Sequence, residues 1–284
     1  MKKRVLVIVI FLVIIILSLC FYYYTPVKEL KNVESPKIEK SVNILLAGTD
    51  KKCSNQTVIN TDTIILIKIS DNQTRLTSIP RDTLVDKGDS RKINGIYYTH
   101  GMDILINLTE NVTNTEIHRY ILIDNMRYVR DLVDIIGGVN INISEKIIHN
   151  INLTDPIFCG ENYLGYKNRT IFEKGVNKLN GTESIAYISR RNGGDINRVK
   201  KDQYILFEIM KKGQRISDPI KLLKIYLISK KEIHSNINIK EVLIIRKNMQ
   251  NNNGQIKFEI LEGNEQSIYN EYYDKNLSYW VPKK

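Results

Sequence analysis

The first four residues, Met1-Lys2-Lys3-Arg4, carry three positive side chains, and residues 5–24 carry no charge at all. An apolar run of that length, wound as a helix, covers the hydrocarbon thickness of a bilayer, about 30 Å. Phe21, Tyr22, Tyr23 and Tyr24 end it with the aromatic side chains that settle at a membrane interface. Basic flanks stay cytoplasmic. The expectation is therefore a cytoplasmic tail at 1–4, a single transmembrane helix at 5–24, a linker at 25–40 containing Pro26 and Pro36, and an extracellular domain at 41–284. A cleaved signal peptide is the competing reading, but the run is long for one and has no small-x-small site at its end. About 240 residues remain to build the fold, enough for one large domain or two small ones.

Those residues alternate between two periodicities. Continuous apolar or β-branched runs at 42–47, 63–69, 75–79, 120–123 and 139–143 read as strands, and the Asp71-Asn72-Gln73-Thr74 stretch reads as a hairpin turn. Met126, Val129, Leu132, Val133 and Ile136 recur at helical spacing and stop at Gly137-Gly138, a helix C-terminus. Further helices are expected at 93–108, up to residue 188, at 195–212 and at 218–233, the last with Leu222, Leu223, Tyr226 and Leu227 inward. Strands are expected at 237–245 and 255–261, around Asn251-Asn252-Asn253-Gly254. Strands interleaved with helices predict an α/β class: one α/β/α-layered domain around a central mixed sheet.

The densest chemistry lies in the stretch 187–203. Arg190, Arg191, Arg198, Lys200 and Lys201 surround Gly193-Gly194 and Asp195, a residue suited to cap a helix. A helix start offers free N–H groups, and arginines add bidentate donors, so the stretch suits a phosphate or pyrophosphate. A solvated basic helix face explains the same residues. The net charge of +11, from 42 Lys and Arg against 31 Asp and Glu, points to an anionic partner without choosing one. The expected topology disfavours nucleic acid.

Two carboxylates, Asp50 and Asp62, stand beside strand ends, where α/β folds place ligands. Together they suit Mg²⁺, which accepts few carboxylates and keeps phosphate oxygens and waters. Arg81-Asp82 follows another strand, and Lys92 opens an apolar segment. No G-x-S-x-G, Walker loop or zinc-spaced Cys/His set is present, and His100, His118, His149 and His234 are scattered. Cys53 and Cys159 form either one disulfide or two free thiols. Arginines with a few carboxylates are the equipment of phosphoryl transfer, where positioning and charge neutralisation do most of the work.

In order and spacing, Asn43-Ile44-Leu45-Leu46-Ala47-Gly48-Thr49-Asp50, Thr61-Asp62-Thr63, Ser78-Ile79-Pro80-Arg81-Asp82-Thr83 and Lys92-Ile93-Asn94 resemble the LytR-CpsA-Psr family. Residues 132–139 resemble its central V-D-x-x-G-G-V, and 179–203 its arginine-rich block, so the motif-bearing part is 42–210 and the variable part 211–284. The resemblance implies a membrane-anchored enzyme of Gram-positive-type bacteria. Such an enzyme moves a glycopolymer, such as teichoic acid or capsule, from an undecaprenyl pyrophosphate carrier to peptidoglycan. By the same resemblance Asp50 and Asp62 hold Mg²⁺, and Arg81, Lys92, Arg190, Arg191, Arg198 and Gln203 bind the pyrophosphate. Arg81, Asp82, Asp195 and Arg198 are the catalytic set it implies, with the two aspartates bracing arginines or acting as base. Three departures stand out: Ser189 holds the first site of the family's Arg-x-Arg, Lys201-Asp202 replaces Arg-Gln, and His100 replaces a glycine. A non-catalytic envelope regulator binding wall polymer or carrier lipid, and a prenyl-diphosphate pyrophosphatase, are the alternatives.

Overall fold

The apolar run that opens the domain forms strand β1 (Val42–Thr49), whose side chains point alternately to two buried faces. It pairs antiparallel with β2 (Thr61–Ile69) and parallel with β4 (Arg119–Ile123). Outward from these lie β3 (Thr74–Ser78), β10 (Ile256–Ile260) and β9 (Ile233–Ser235), giving a mixed six-stranded sheet of order β10-β3-β2-β1-β4-β9. This computed structural model describes residues 41–49, 59–70, 73–85, 92–150, 169–189, 194–213, 215–251, 256–270 and 273–283. The expected transmembrane helix and linker, Cys20, Cys53 and Cys159 lie outside them. No helix among the described residues is long and apolar enough to cross a membrane.

Helices cover both sheet faces, as the uninterrupted apolar strands require. Leu45, Ala47 and Ile64 pack against Ile93 of a short 3₁₀ turn, Ile96 of α1 (Ile96–His100) and Leu105 of α2 (Met102–Thr113). Val42, Ile44, Leu46, Ile65 and Ile67 pack on the opposite face, against Leu206 and Met210 of α5 (Gly194–Gly213) and Ile245 and Met249 of α7 (Ile239–Asn251). Each such aliphatic side chain, fully buried, contributes about 1.5–3 kcal/mol.

A third cluster joins α3 (Met126–Ile135), α4 (Gly181–Ser189) and the strand pair β5 (Val139–Ile143) with β8 (Gly175–Leu179). The pair β6 (Ile147–Asn150) and β7 (Arg169–Phe172) adds Ile147 and Phe172 to it. The V-D-x-x-G-G-V motif does architectural work here. Gly137 and Gly138 turn the chain into β5 at φ of 83° and 84°, a left-handed region open to glycine. Asp134 accepts a hydrogen bond from Gly181 N at 2.7 Å and so caps α4. An N-cap exchange between Asn180 and Glu183 completes that helix start. The chain ends in the hairpin β11 (Gly263–Asn270) and β12 (Lys275–Pro282).

Two sequence expectations are corrected. Residues 239–245 are not a strand but the first half of α7. Asn238 and Glu241 exchange backbone and side-chain hydrogen bonds at its start, and Glu241 also holds the buried Arg119 of β4. In α6 (Pro219–Glu232), Leu222, Leu223 and Leu227 are 39%, 44% and 52% exposed instead of inward, and Tyr226 is only partly covered. This helix touches the rest of the fold through Ile225 and Ser229 on its other side.

Candidate active site

The β1–β2 ladder is irregular at one end: Gly48 faces Thr63 and Thr49 faces Thr61, so Asp62 is the extra residue of a bulge. Bulges re-aim side chains at sheet rims. The Asp62 carboxylate, 16% exposed, accepts from Arg81 Nη1 at 3.2 Å. Arg81 reaches it because β3 ends at Ser78 and Pro80 starts a turn. Thr83 closes that turn by donating its N–H and hydroxyl to the Pro80 carbonyl.

The carbonyl groups of the turn are pinned from two distant segments. Asn94 N donates to the Arg81 carbonyl at 3.2 Å, and Trp280 N to the Asp82 carbonyl at 2.9 Å. Asp82 in turn lies 2.9 Å from Lys92 Nζ, and that ammonium also sits 5.3 Å from the centre of the Tyr279 ring. Tyr279 is 1% exposed and its hydroxyl accepts from Asn270 Nδ2. Arg81 and Lys92 are thus oriented by carboxylates yet remain 31% and 28% exposed. Ion pairs that open to water contribute only about 0–1 kcal/mol each. Their effect is to hold two cations in fixed directions rather than to stabilise the fold.

Helix α5 docks against the same sheet end. Thr63 Oγ1 donates to Asp202 Oδ2 at 3.1 Å, and Gln203 Nε2 donates to Ser78 Oγ at 2.8 Å and to the Glu259 carbonyl at 2.9 Å. Gln203, buried, therefore spends its donors on bracing α5 to β3 and β10, not on an open site. Lys201 stacks 5.6 Å from the Tyr187 ring of α4. The helix starts at Gly194, so Asp195 falls inside its first turn instead of at the cap. Position 198 is one helical turn before Asp202. Asp50, Arg190 and Arg191 lie outside the described residues, as do the side chains of Asp195 and Arg198.

Of the sequence-predicted residues, the structure brings together Asp62, Arg81, Asp82 and Lys92. It adds Tyr279 and Trp280, from the segment read as the variable part. Their pairing with residues some two hundred positions earlier leaves no local pattern. Thr63 and Asp202 also belong to the arrangement; the four-residue spacing from Arg198 to Asp202 was the available signal.

The LytR_cpsA_psr family profile matches residues 22–284. A Bacillus cereus protein named polyisoprenyl-teichoic acid–peptidoglycan teichoic acid transferase TagU is 30% identical over 235 residues, covering 79% of this chain and 70% of that relative. B. subtilis TagV superposes with a TM-score of 0.69 at 23% identity, over 87% of this chain and 92% of that one. A structure described as TagT bound to LIIa-WTA superposes with a TM-score of 0.65 at 17% identity, over 90% and 89% of the two chains.

Proposed function

The chain belongs to the LytR-CpsA-Psr family, and from that premise we propose that it is a membrane-anchored phosphotransferase. It moves a glycopolymer from an undecaprenyl pyrophosphate carrier to peptidoglycan. The observation that carries this reading is the pair of oriented, part-exposed cations at one sheet end, Arg81 held by Asp62 and Lys92 held by Asp82. Two fixed cations match the two phosphates of a diphosphate, and the guanidinium fork adds bidentate contacts. Arg198 and the segment bearing Arg190 and Arg191 extend the positive set in sequence.

A peptidoglycan hydroxyl attacks the phosphorus next to the sugar. The bridging P–O bond of the diphosphate breaks, undecaprenyl phosphate leaves, and the hydroxyl proton passes to a carboxylate, Asp82 or Asp195. Arg81 and Lys92 neutralise the charge that develops on the phosphate oxygens. Mg²⁺ fits the donor set: Asp62 presents carboxylate oxygens from a bulge, and the neighbouring Thr61 hydroxyl is buried without a hydrogen-bond partner among the described residues. Asp62, with Asp50, would hold the ion, which when bound supplies charge to the diphosphate oxygens.

The test is incorporation of a radiolabelled, lipid-linked saccharide into insoluble peptidoglycan by the full-length chain in vesicles with Mg²⁺. Covalent label in the peptidoglycan supports the transferase. Binding without turnover, or release of saccharide phosphate with no acceptor present, replaces it with the regulator or the pyrophosphatase.

A further inference from the structure

Helix α6 is an unusual surface element. It buries no residue fully, and Ile220, Leu223 and Leu227 stand 65%, 44% and 52% exposed. At 100° per residue these three share one stripe, spaced i, i+3 and i+7. Lys231 and Lys224 edge one side of the stripe and Lys230 the other, Lys221 lies further round, and all four are exposed. From Pro219 to Lys231 the helix contains no acidic residue. An apolar stripe alone would fit a second protein copy. An apolar stripe edged by lysines, with no acidic residue between Pro219 and Lys231, fits a surface with hydrocarbon beneath and negative charge at its rim.

Its mounting is also informative. The Glu232 carbonyl, at the last residue of α6, accepts from Asp124 N at 3.0 Å, and the Asp124 carbonyl accepts from Thr49 Oγ1 at 2.8 Å. Thr49 is the β1 partner of Thr61. The lysine-rich end of α6 is therefore fastened, through two hydrogen bonds, to the sheet end that carries Asp62.

We propose that α6 lies on an anionic phospholipid surface, with Ile220, Leu223 and Leu227 in the acyl boundary and Lys221, Lys224, Lys230 and Lys231 at the headgroups. This contact is separate from the N-terminal segment and does not depend on the reaction assigned above. Each lysine near such a surface contributes about fivefold to binding.

The test places a photoreactive side chain on the full-length protein, Leu223→benzoylphenylalanine or Leu227→benzoylphenylalanine, in nanodiscs containing phosphatidylglycerol. Val176→benzoylphenylalanine, on a still more open strand position (75% exposed), is the control. Mass spectrometry should show phospholipid adducts at 223 and 227 exceeding those at 176 by about tenfold or more. Pure phosphatidylcholine, or Lys221→Glu with Lys224→Glu, Lys230→Glu and Lys231→Glu, should remove most of that excess. Equal adducts at all three positions overturn the proposal. So does an excess that survives charge reversal, or protein–protein crosslinks at 223 in place of lipid. Because the lysine variants change only exposed side chains, a folded charge-reversal protein is expected, and its circular dichroism should match that of the parent.

Discussion

Gln203 of α5 donates to Ser78 Oγ of β3 at 2.8 Å, across 125 residues of sequence, three residues before the arginine of the candidate site. The same amide nitrogen donates to the Glu259 carbonyl. One buried side chain therefore ties the helix bearing Arg198 to the strand that leads into the Arg81 turn.

Replacing Gln203 by Leu leaves the Ser78 hydroxyl without this donor in the interior. The expected loss is about 1–3 kcal/mol of stability, read from urea unfolding midpoints. A diphosphate contact would instead weaken substrate binding at unchanged stability. For Gln203 the larger effect is expected on stability.

Gly181 lets α4 start hard against α3. A Cβ there would stand 2.1 Å from the Arg130 carbonyl oxygen and 2.8 Å from an Asp134 carboxylate oxygen. Backbone cannot move aside as a flexible side chain can, so Gly181→Ala should destabilise by at least about 1–3 kcal/mol. Thermal unfolding checks it. Gly137→Ala meets no atom within 4 Å and is strained only by its φ of 83°, so a smaller loss is expected, about 1–2 kcal/mol.

Arg119 and Glu241 form a nearly buried pair, 4% and 12% exposed. Burial disfavours the Glu241 carboxylate, but hydrogen bonds from Arg119 and from Asn238 N, with the Arg119 charge, outweigh it and hold its pKa below the ordinary glutamate value. A carboxyl depressed on folding contributes stability above its unfolded pKa and loses it as pH falls through the folded one. Stability should therefore decline on acidification below the ordinary glutamate range, and Glu241→Gln should flatten that part of the profile. At neutral pH, Glu241→Gln leaves Arg119 buried without its counter-charge and should cost about 3–5 kcal/mol. Unfolding titrations from neutral to acidic pH measure both effects.

Asp82 aims Lys92 from 2.9 Å, while the Tyr279 ring backs the ammonium. Asp82→Asn keeps the shape and removes the charge. If Asp82 only orients Lys92, transfer should fall no more than Lys92→Met causes, about tenfold, and the double variant should be no worse than the single one. If Asp82 also takes the acceptor proton, Asp82→Asn should lower kcat well beyond the Lys92→Met effect. Steady-state transfer assays on the three variants separate the two roles.

Much of this arrangement was readable in advance. Continuous β-branched runs exposed β1 and β2, because strands covered on both faces need no polar alternation. The Gly137-Gly138 stop marked the end of α3. Asp62, Arg81, Asp82 and Lys92 converge because all stand at strand ends or turns of one sheet rim. Other parts were hidden for physical reasons. In α7, Val242, Ile244 and Ile245 look strand-like on propensity; the overlooked signal was Asn238 followed by Glu241, the spacing of an N-cap box that also begins α4 at Asn180 and Glu183. The exposure of Leu223 and Leu227 was unreadable, since apolar spacing says which residues share a face and not whether that face is covered. The clamp of Trp280 on Asp82 is long-range pairing, with no trace in either local segment.

The central claim is that Arg81, steered by Asp62, grips a diphosphate. Titration calorimetry of the full-length chain in detergent with undecaprenyl diphosphate and Mg²⁺ tests it directly. Arg81→Ala should weaken binding by about tenfold to a hundredfold, the range expected for losing hydrogen bonds to a charged group, while the unfolding midpoint barely moves. Parental affinity in a folded Arg81→Ala protein would contradict the account.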